Sequence, residues 1–460
     1  MKTNQALPVK KNEQYTVTIE DLTFEGLGVA KINGYPLFIE NALPGEKMDI
    51  KVLKTGKSFG YGKVLKQLTS SEDRVPVKND NYTRVGIAPL QHIRYQAQLD
   101  FKKQQVENVM KRIAKMPDVP VLDTLGMKDP WGYRNKAQIP VRKIEGQLTT
   151  GFFRKNSHDL VPIENFYIQD PKIDQTILAV RDVMRKYGVK PYNEKENIGN
   201  LRHIMVRRGY YTGEIMIVLV TRTAKLFPKS KIIPDILEAV PETVSIVQNI
   251  NTKRTNTILG NDAIVLHGED HYKDKLMGHT FEISHRSFYQ VNPTQTEKLY
   301  QKVLDFADLK GDETVIDAYC GIGTITLALA EKAKKVYGIE IIEPAVADAK
   351  LNAEMNGIDN VEYQVGASED IMLEWSKEKR EADLLVVDPP RKGLEKQFID
   401  AVLQMQPTKM VYVSCNPATL ARDLALLAEG GYDVKQVQPV DLFPQTPHVE
   451  TIVLLQRADS

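Results

Sequence analysis

The sequence predicts a multidomain chain: a small N-terminal β-barrel of OB-like form, a central α+β domain, and a C-terminal doubly wound, Rossmann-like α/β domain. Three observations carry this. The chain has 460 residues, about three times the ~150 of a typical domain. Its first 68 residues alternate short Val-, Ile- and Thr-rich runs with Gly- and Pro-bearing turns. After Asn292 strand-like runs alternate instead with helical segments of about 10–15 residues, the signature of a mainly parallel sheet.

Residues 1–68 hold the runs YTVTIEDL, YPLFIENAL, KMDIKVLKT and YGKVLKQL, separated by EGLG, INGYP and PGE, which reads as a small closed barrel. Ten Lys against seven acidic residues there suit the oligonucleotide-carrying face of such barrels. Residues 69–285 form the central domain. An amphipathic helix is expected around Ala97–Ala114, with Leu99, Phe101, Val106, Val109 and Ile113 on its apolar face, and another near Asp174–Tyr187. Between Trp131 and Ser287, NKAQIPVRK, LTTGFFRK, HIMVRRGY, EIMIVLVT and SIVQNIN read as strands. Residues 286–460 supply the strands TVIDAY, KVYGIE, VEYQV, DLLVVD, KMVYVSC and TIVLLQR, and helices at Ile325–Ala333, Pro344–Asn356 and Pro417–Gly430.

Composition narrows the function. With 42% hydrophobic and 26% charged residues and no biased tract, the chain is globular. No run approaches the ~18–20 apolar residues of a membrane span, and MKTNQALPVKKNEQ lacks a signal-peptide core, so the expectation is a cytoplasmic protein without a membrane partner. Two cysteines, Cys320 and Cys415, are too few for a disulfide framework or a four-thiolate metal site. Net charge is +1, but residues 101–160 hold 12 Lys/Arg against 6 Asp/Glu while residues 381–460 hold 7 against 11, as if one part faced a polyanion.

The chemistry-bearing residues gather at strand ends. TVIDAY runs into Cys320-Gly321-Ile322-Gly323-Thr324 and a helix, where the glycines allow a tight turn and close approach of a ligand. The next strand ends in Glu340, 17 residues beyond Gly323, where a carboxylate can accept from both hydroxyls of a ribose. Together they indicate an adenosine-containing ligand. Asp388-Pro389-Pro390-Arg391 ends another strand; Asp388 either caps the following turn or serves the ligand edge. Cys415 ends the next, just before a helix begun by Pro417; it is either a small buried residue or a thiolate stabilised by the helix N-terminus. Glu450 opens the last strand, as a solvated carboxylate or a general base.

Taken together, SFYQVN (Ser287–Asn292), DAYCGIGT (Asp317–Thr324), GIE (Gly338–Glu340), DPPRKGL (Asp388–Leu394), SCNP (Ser414–Pro417) and PHVET (Pro447–Thr451) resemble, in order and spacing, the S-adenosylmethionine-dependent RNA uracil-5-methyltransferases, in particular the bacterial enzymes acting on 23S ribosomal RNA. The resemblance spans the whole chain and implies a TRAM domain followed by a class I methyltransferase domain. It implies methyl-donor contacts at Gln290, Tyr319, Glu340 and Asp388, alongside Gly321, Gly323 and Thr324 of the donor loop, with Cys415 as nucleophile and Glu450 as base. Many relatives bind an iron–sulfur cluster just after the barrel. Here that stretch, near 77–92, contains Val85-Gly86-Ile87-Ala88-Pro89-Leu90-Gln91-His92, and the later ligand position is Phe166, so no cluster and no metal is expected.

Uracil C5 is too weak a nucleophile to take a methyl group from a sulfonium directly. A thiolate adding at C6 activates it, and a base then removes the C5 proton. The target base must be swung out of its RNA, so affinity must come from elsewhere; Arg134, Lys136, Arg142, Arg154 and Lys155 are the candidates for RNA contact. Two competing readings are an RNA-binding assembly protein without activity and an amino-group methyltransferase. The second needs no cysteine and expects an aromatic where Arg391 stands. The barrel favours ribosomal over transfer RNA by resemblance, and the chain is expected to act as a monomer.

Overall fold

The computed structural model describes residues 7–458, Phe227 apart. The barrel has six strands, β1 (Gln14–Thr18), β2 (Asp21–Leu22), β3 (Gly28–Ile32), β4 (Tyr35–Ile39), β5 (Lys47–Thr55) and β6 (Gly60–Gln67), in the order β1-β5-β6-β4-β3-β2. It closes because β1 runs straight on into β2: Ile19 N–H bonds to Glu46 on one side, Glu20 N–H to Val29 on the other. Alternation fills the inside with Val17, Leu37, Ile39, Met48, Ile50 and Val52. The barrel is docked through Leu43 against Leu90 and Ile93, and through Arg74, whose guanidinium meets the buried Glu46 carboxylate at 2.5 and 2.8 Å.

After the short helix α1 (Asn81–Val85) comes α2 (Tyr95–Val109), which widens into a π-helical turn at Met110–Ala114. Its buried residues are Gln98, Lys102, Val106, Met110 and Ala114, spaced by four. This departs from the expected apolar face: Ile113 is exposed, and Leu99, Phe101 and Val109 are only half-buried. The reason is pairing, since Lys102 reaches the Asp441 carboxylate and Gln98 exchanges bonds with Gln445. Val106, Met110 and Ala114 join the core of the C-terminal sheet, and Leu122 and Leu125 donate to Val437 and Pro439. Residues 95–125 therefore pack with the C-terminal unit, where the sequence had grouped them with the central domain.

The central sheet is built from β7 (Lys136–Ile144), β8 (Gln147–Phe153), β9 (Leu160–Pro162), β10 (Leu201–Arg208), β11 (Ile215–Thr221), β12 (Thr243–Ile250) and β13 (Asp262–Gly268), ordered β13-β12-β11-β10-β7-β8-β9. Helices α3 (Pro171–Lys186) and α4 (Lys229–Ala239) bury Ile173, Ile177, Val180, Ile232 and Ile236 in its core. Asp170 caps α3 by accepting from the Lys172 amide. A hairpin, β14 (His271–Leu276) with β15 (His279–Ser284), leads into the C-terminal unit.

That unit comprises α5 (Pro293–Ala307), β16 (Thr314–Ala318), α6 (Thr324–Ala330), β17 (Lys335–Glu340), α7 (Glu343–Met355), β18 (Val361–Val365), α8 (Ser368–Lys377), β19 (Leu384–Val387), α9 (Lys396–Met405), β20 (Lys409–Ser414), α10 (Pro417–Glu429), β21 (Tyr432–Val440) and β22 (Glu450–Arg457). The order β18-β17-β16-β19-β20-β22-β21 is a doubly wound sheet, parallel except at β22, which is antiparallel to β20 and β21. The carboxyl ends of β16, β17, β19 and β20 and the beginning of β22 consequently share one edge. No helix among the described residues is long and apolar enough to cross a membrane.

Candidate active site

The donor-side loop follows β16. Tyr319, Gly321 and Gly323 all lie in the left-handed region, at φ of +68°, +57° and +88°. The two glycines have different reasons. A Cβ on Gly323 would meet Tyr363 Oη at 2.8 Å, so this glycine lets α6 pack on the sheet. A Cβ on Gly321 would meet nothing within 4 Å, so only its left-handed backbone asks for glycine. The Glu340 carboxylate accepts from the amides of Gly321 (3.1 Å) and Ile342 (2.9 Å), which fixes it beside that loop. Beneath, Asp317 is buried, accepts from Thr326 Oγ1 at 2.6 Å, and is pushed up to about 7 by burial. Thr324 is tied by its hydroxyl to Tyr300 Oη at 2.8 Å. The Tyr319 ring packs 5.7 Å from Phe398, and burial raises its hydroxyl. Gln290 is held through its carbonyl by Asn135 Nδ2 at 3.1 Å.

The other half of the edge holds Asp388, Cys415 and Glu450. Antiparallel pairing of Ser414 with Thr451 brings Cys415, the residue after β20, and Glu450, the first of β22, to the same edge. Parallel pairing of Val387 with Tyr412 and Ala318 brings Asp388 to the same edge. Glu450 is buried; its carboxyl is pushed up to about 8 by burial, then by Asp388, with Arg391 opposing. Asp388 rises to about 7 through burial. The loops are laced together: Asn416 caps α10 through the Ala418 amide, and both Asn416 Nδ2 and Thr419 Oγ1 donate to the Arg391 carbonyl at 3.1 Å.

The thiol departs from the expectation of a helix-stabilised thiolate. Half-buried Cys415 is pushed up to about 11, by burial first and then by Glu450 and Asp388, with Arg391 opposing. Cys320 is buried, with its sulfur 3.0 Å from where a Gly338 Cβ would stand. Arg391, which the sequence placed in the DPPR motif without a role, is a cation that acts on both Cys415 and Glu450.

The basic candidates are scattered. Lys136 is half-buried beside Arg207 and Arg134, and burial lowers it to about 8. Arg142 lies over the Phe153 ring and 3.5 Å from Glu194. Lys155 pairs with Glu40 of the barrel at 2.8 Å, and Arg154 beside it is exposed. Arg134 and Lys136 flank Asn135, so they alone adjoin the Gln290 segment. Among the described residues no group of three or more His, Cys, Asp and Glu side chains could hold a metal ion.

The family described as tRNA (Uracil-5-)-methyltransferase matches residues 94–458, and the TRAM domain matches residues 8–65. A protein of Enterococcus faecalis described as an uncharacterized RNA methyltransferase is 65% identical over 451 residues, covering 98% of this chain and 99% of that protein. One of Lactiplantibacillus plantarum with the same description is 53% identical, covering 99% and 100%. The crystal structure of Pyrococcus abyssi tRNA (uracil-54, C5)-methyltransferase in complex with S-adenosyl-L-homocysteine is similar with a TM-score of 0.77 and 26% identity, over 96% of this chain and 99% of that one. With its cysteine, buried glutamate and glycine-lined loop on one sheet edge behind an N-terminal TRAM domain, the chain belongs to the RNA uracil-5-methyltransferase family.

Proposed function

We propose that this chain transfers a methyl group from S-adenosylmethionine to C5 of a uridine in 23S ribosomal RNA, through a covalent bond between Cys415 and C6 of the uracil. The observation that carries the reading is that Cys415 and Glu450 lie within electrostatic reach of each other on the edge that also holds the Gly321–Glu340 cradle. The cradle fits an adenosyl donor: open space beside Gly321, a fixed carboxylate at Glu340, and S-adenosyl-L-homocysteine bound in the archaeal relative. When bound, the donor supplies an electrophilic methyl group on a sulfonium.

The protein's own groups do the rest. The Cys415 thiol gives its proton to water and the sulfur adds to C6, moving the C5–C6 electron pair onto C5 and O4. C5 then takes the methyl group, displacing the thioether. Glu450 as carboxylate removes the C5 proton, the C–H electrons restore the double bond, and the thiolate leaves. Arg391 is the positive charge next to both groups and favours their ionised forms. Gln290, Tyr319, Thr324 and Asp388 line the donor side, and Arg134 and Lys136 the RNA side, with Arg142, Arg154 and Lys155 further out. The enzyme works as a monomer in the cytoplasm.

A second reading, transfer RNA, has one observation in its favour. The archaeal transfer-RNA enzyme aligns over 99% of its own length with 96% of this chain, so the barrel does not speak for ribosomal RNA. The six motifs mark the uracil-5-methyltransferase family as a whole, and the ribosomal reading rests on the resemblance to its bacterial 23S members. Mapping 5-methyluridine in both RNAs from a strain lacking the gene tests it. Loss from 23S RNA alone supports the first reading, loss from transfer RNA the second, and loss from neither overturns both.

A further inference from the structure

The loop DPPRKGL, which carries Asp388 and Arg391, leads from the end of β19 toward α9 without helix or strand of its own. Arg391 is exposed, and among the described residues its guanidinium makes no hydrogen bond or ion pair. Where that charge stands beside Cys415 and Glu450 is therefore decided by the backbone that bears it. That backbone is held from α10, the helix that begins two residues after Cys415.

Four residues at helical spacing, Asn416, Thr419, Arg422 and Asp423, face the loop from α10 and its cap. Asn416 Nδ2 and Thr419 Oγ1 both donate to the Arg391 carbonyl at 3.1 Å. One turn further on, Arg422 Nη2 donates to the carbonyls of Lys392 at 2.9 Å and Leu394 at 3.3 Å, and the buried Asp423 accepts from the Leu394 amide at 2.8 Å. Asp423 does more than close this turn. Its Oδ2 also accepts from Tyr412 Oη of β20 at 2.7 Å, and its Oδ1 from Arg422 Nε at 2.8 Å. The fit is close: a Cβ on Gly393, itself at φ of +77°, would stand 2.5 Å from Asp423 Oδ2. The strand that leads to Cys415, the helix that follows it and the loop that bears Arg391 meet on one carboxylate. Burying a carboxylate is unfavourable unless its oxygens are satisfied, and an apolar side chain would join β20 to α10 at less cost. An apolar side chain could not, however, hold the Leu394 amide and the Arg422 guanidinium, and with them the loop.

We propose that Asp423 is a positioning residue for the methyl transfer: it fixes the 391–394 turn against α10 and so sets the place of the Arg391 charge beside Cys415 and Glu450. The proposal rests on the reading of Cys415 as the nucleophile. Arg391 favours the ionised forms of both groups, whereas Asp423 hydrogen-bonds to neither, so its effect passes through Arg391.

The test uses the full-length protein and the rate at which iodoacetamide alkylates Cys415 between pH 7 and pH 9.5, followed by peptide mass so that Cys320 is counted apart. R391Q removes the charge and should slow alkylation roughly 1.5- to 5-fold, the range for a solvent-exposed charge pair. D423N, close in volume to the native residue, should slow it in the same direction without passing R391Q, and D423N/R391Q should be no slower than R391Q alone. The sign is decisive. Removing a negative charge by itself lowers a neighbouring thiol and speeds alkylation, and a carboxylate that only stabilises the fold would lower the melting temperature with alkylation unchanged. Alkylation of D423N at or above the wild-type rate, or a double variant slower by the product of the two single effects, would overturn the proposal. T419V deletes one donor to the Arg391 carbonyl at nearly constant volume and makes the same comparison if D423N melts below the assay temperature; alkylation at the wild-type rate then overturns the proposal. Methylation of extracted RNA is assayed alongside. Activity retained by C415A refutes the nucleophile reading and the proposal with it; activity lost in C415A with kcat unchanged in D423N refutes the positioning role alone.

Discussion

Glu450→Gln isolates the step that the buried carboxyl is placed to perform. With Glu450 pushed up to about 8, only roughly one-tenth of it is ionised at pH 7. Proton removal from C5 should accordingly rise about tenfold toward a plateau above pH 8 in the wild-type enzyme. The amide cannot accept that proton, and loss of a positioned base costs about 10²–10⁴ in rate. Addition of the thiol should not suffer, because Glu450 is one of the charges that hold Cys415 up. The variant should therefore add, transfer the methyl group and stall, accumulating a methylated protein–RNA adduct on denaturing gels. Wild-type protein should form the analogous adduct on 5-fluorouridine RNA, where no C5 proton is present, and C415A should abolish both. Normal turnover by E450Q, or trapping through Cys320, would refute the assignment of roles. Stability gives an independent readout. A carboxyl raised from 4.5 to about 8 favours folding in its neutral form. That contribution is complete below pH 4.5 and is lost as pH climbs through 8, so E450Q should lose less melting temperature than wild type between pH 7 and pH 9.

The two loop glycines should separate binding from folding. G321A places a Cβ in open space, so it should weaken S-adenosylhomocysteine binding at least tenfold by calorimetry while costing about 1–2 kcal/mol of stability for a left-handed alanine. G323A carries the same strain plus a contact at 2.8 Å with Tyr363, and should melt lower than G321A. Lys102→Met leaves the Asp441 carboxylate buried with Tyr95 Oη, at 2.7 Å, as its remaining side-chain partner. It should cost about 3–5 kcal/mol in urea unfolding, and K102M/D441N should recover part of that loss; a surface-like cost below about 1 kcal/mol would show that the pair contributes little.

Much of the fold was legible because the central C-terminal strands β19, β20 and β22 are buried along most of their length and read as apolar runs. The helices foreseen at Ile325–Ala333, Pro344–Asn356 and Pro417–Gly430 lie within three residues of α6, α7 and α10. Strand β21, YDVKQVQPV, escaped because it is mostly polar and carries a bulge between Val434 and Gln436. In α2 the helical period was visible but its phase was not, because Gln98 and Lys102 occupy the buried stripe. At the site, residue types at strand ends indicated where chemistry could sit. The state of the Cys415 thiol was invisible, because it depends on Glu450, 35 positions away in the chain, and on Asp388 from another strand.

The polar residues buried around Asp441–Val449 follow one physical rule. This segment delivers the chain from β21 into Glu450, and much of it is buried without helix or strand to satisfy its carbonyls. Each carbonyl must find a donor elsewhere. Asp441 O receives Gln295 Nε2, Leu442 O Asn292 Nδ2, Phe443 O Lys102 Nζ, Pro444 O Tyr133 Oη, Gln445 O the Leu90 amide, and Pro447 O Gln105 Nε2. The donors come from the segment after the barrel, from α2, from the approach to β7 and from the start of α5. An apolar substitute at Gln295, Asn292, Tyr133 or Gln105 would fill the space and leave a carbonyl without that donor, which costs about 1–3 kcal/mol. The entrance to Glu450 is thus held by side chains from three separate stretches of sequence and a backbone amide from a fourth. That is why Gln98 and Lys102 lie on the buried face of α2, where a hydrophobic pattern alone would have put leucine.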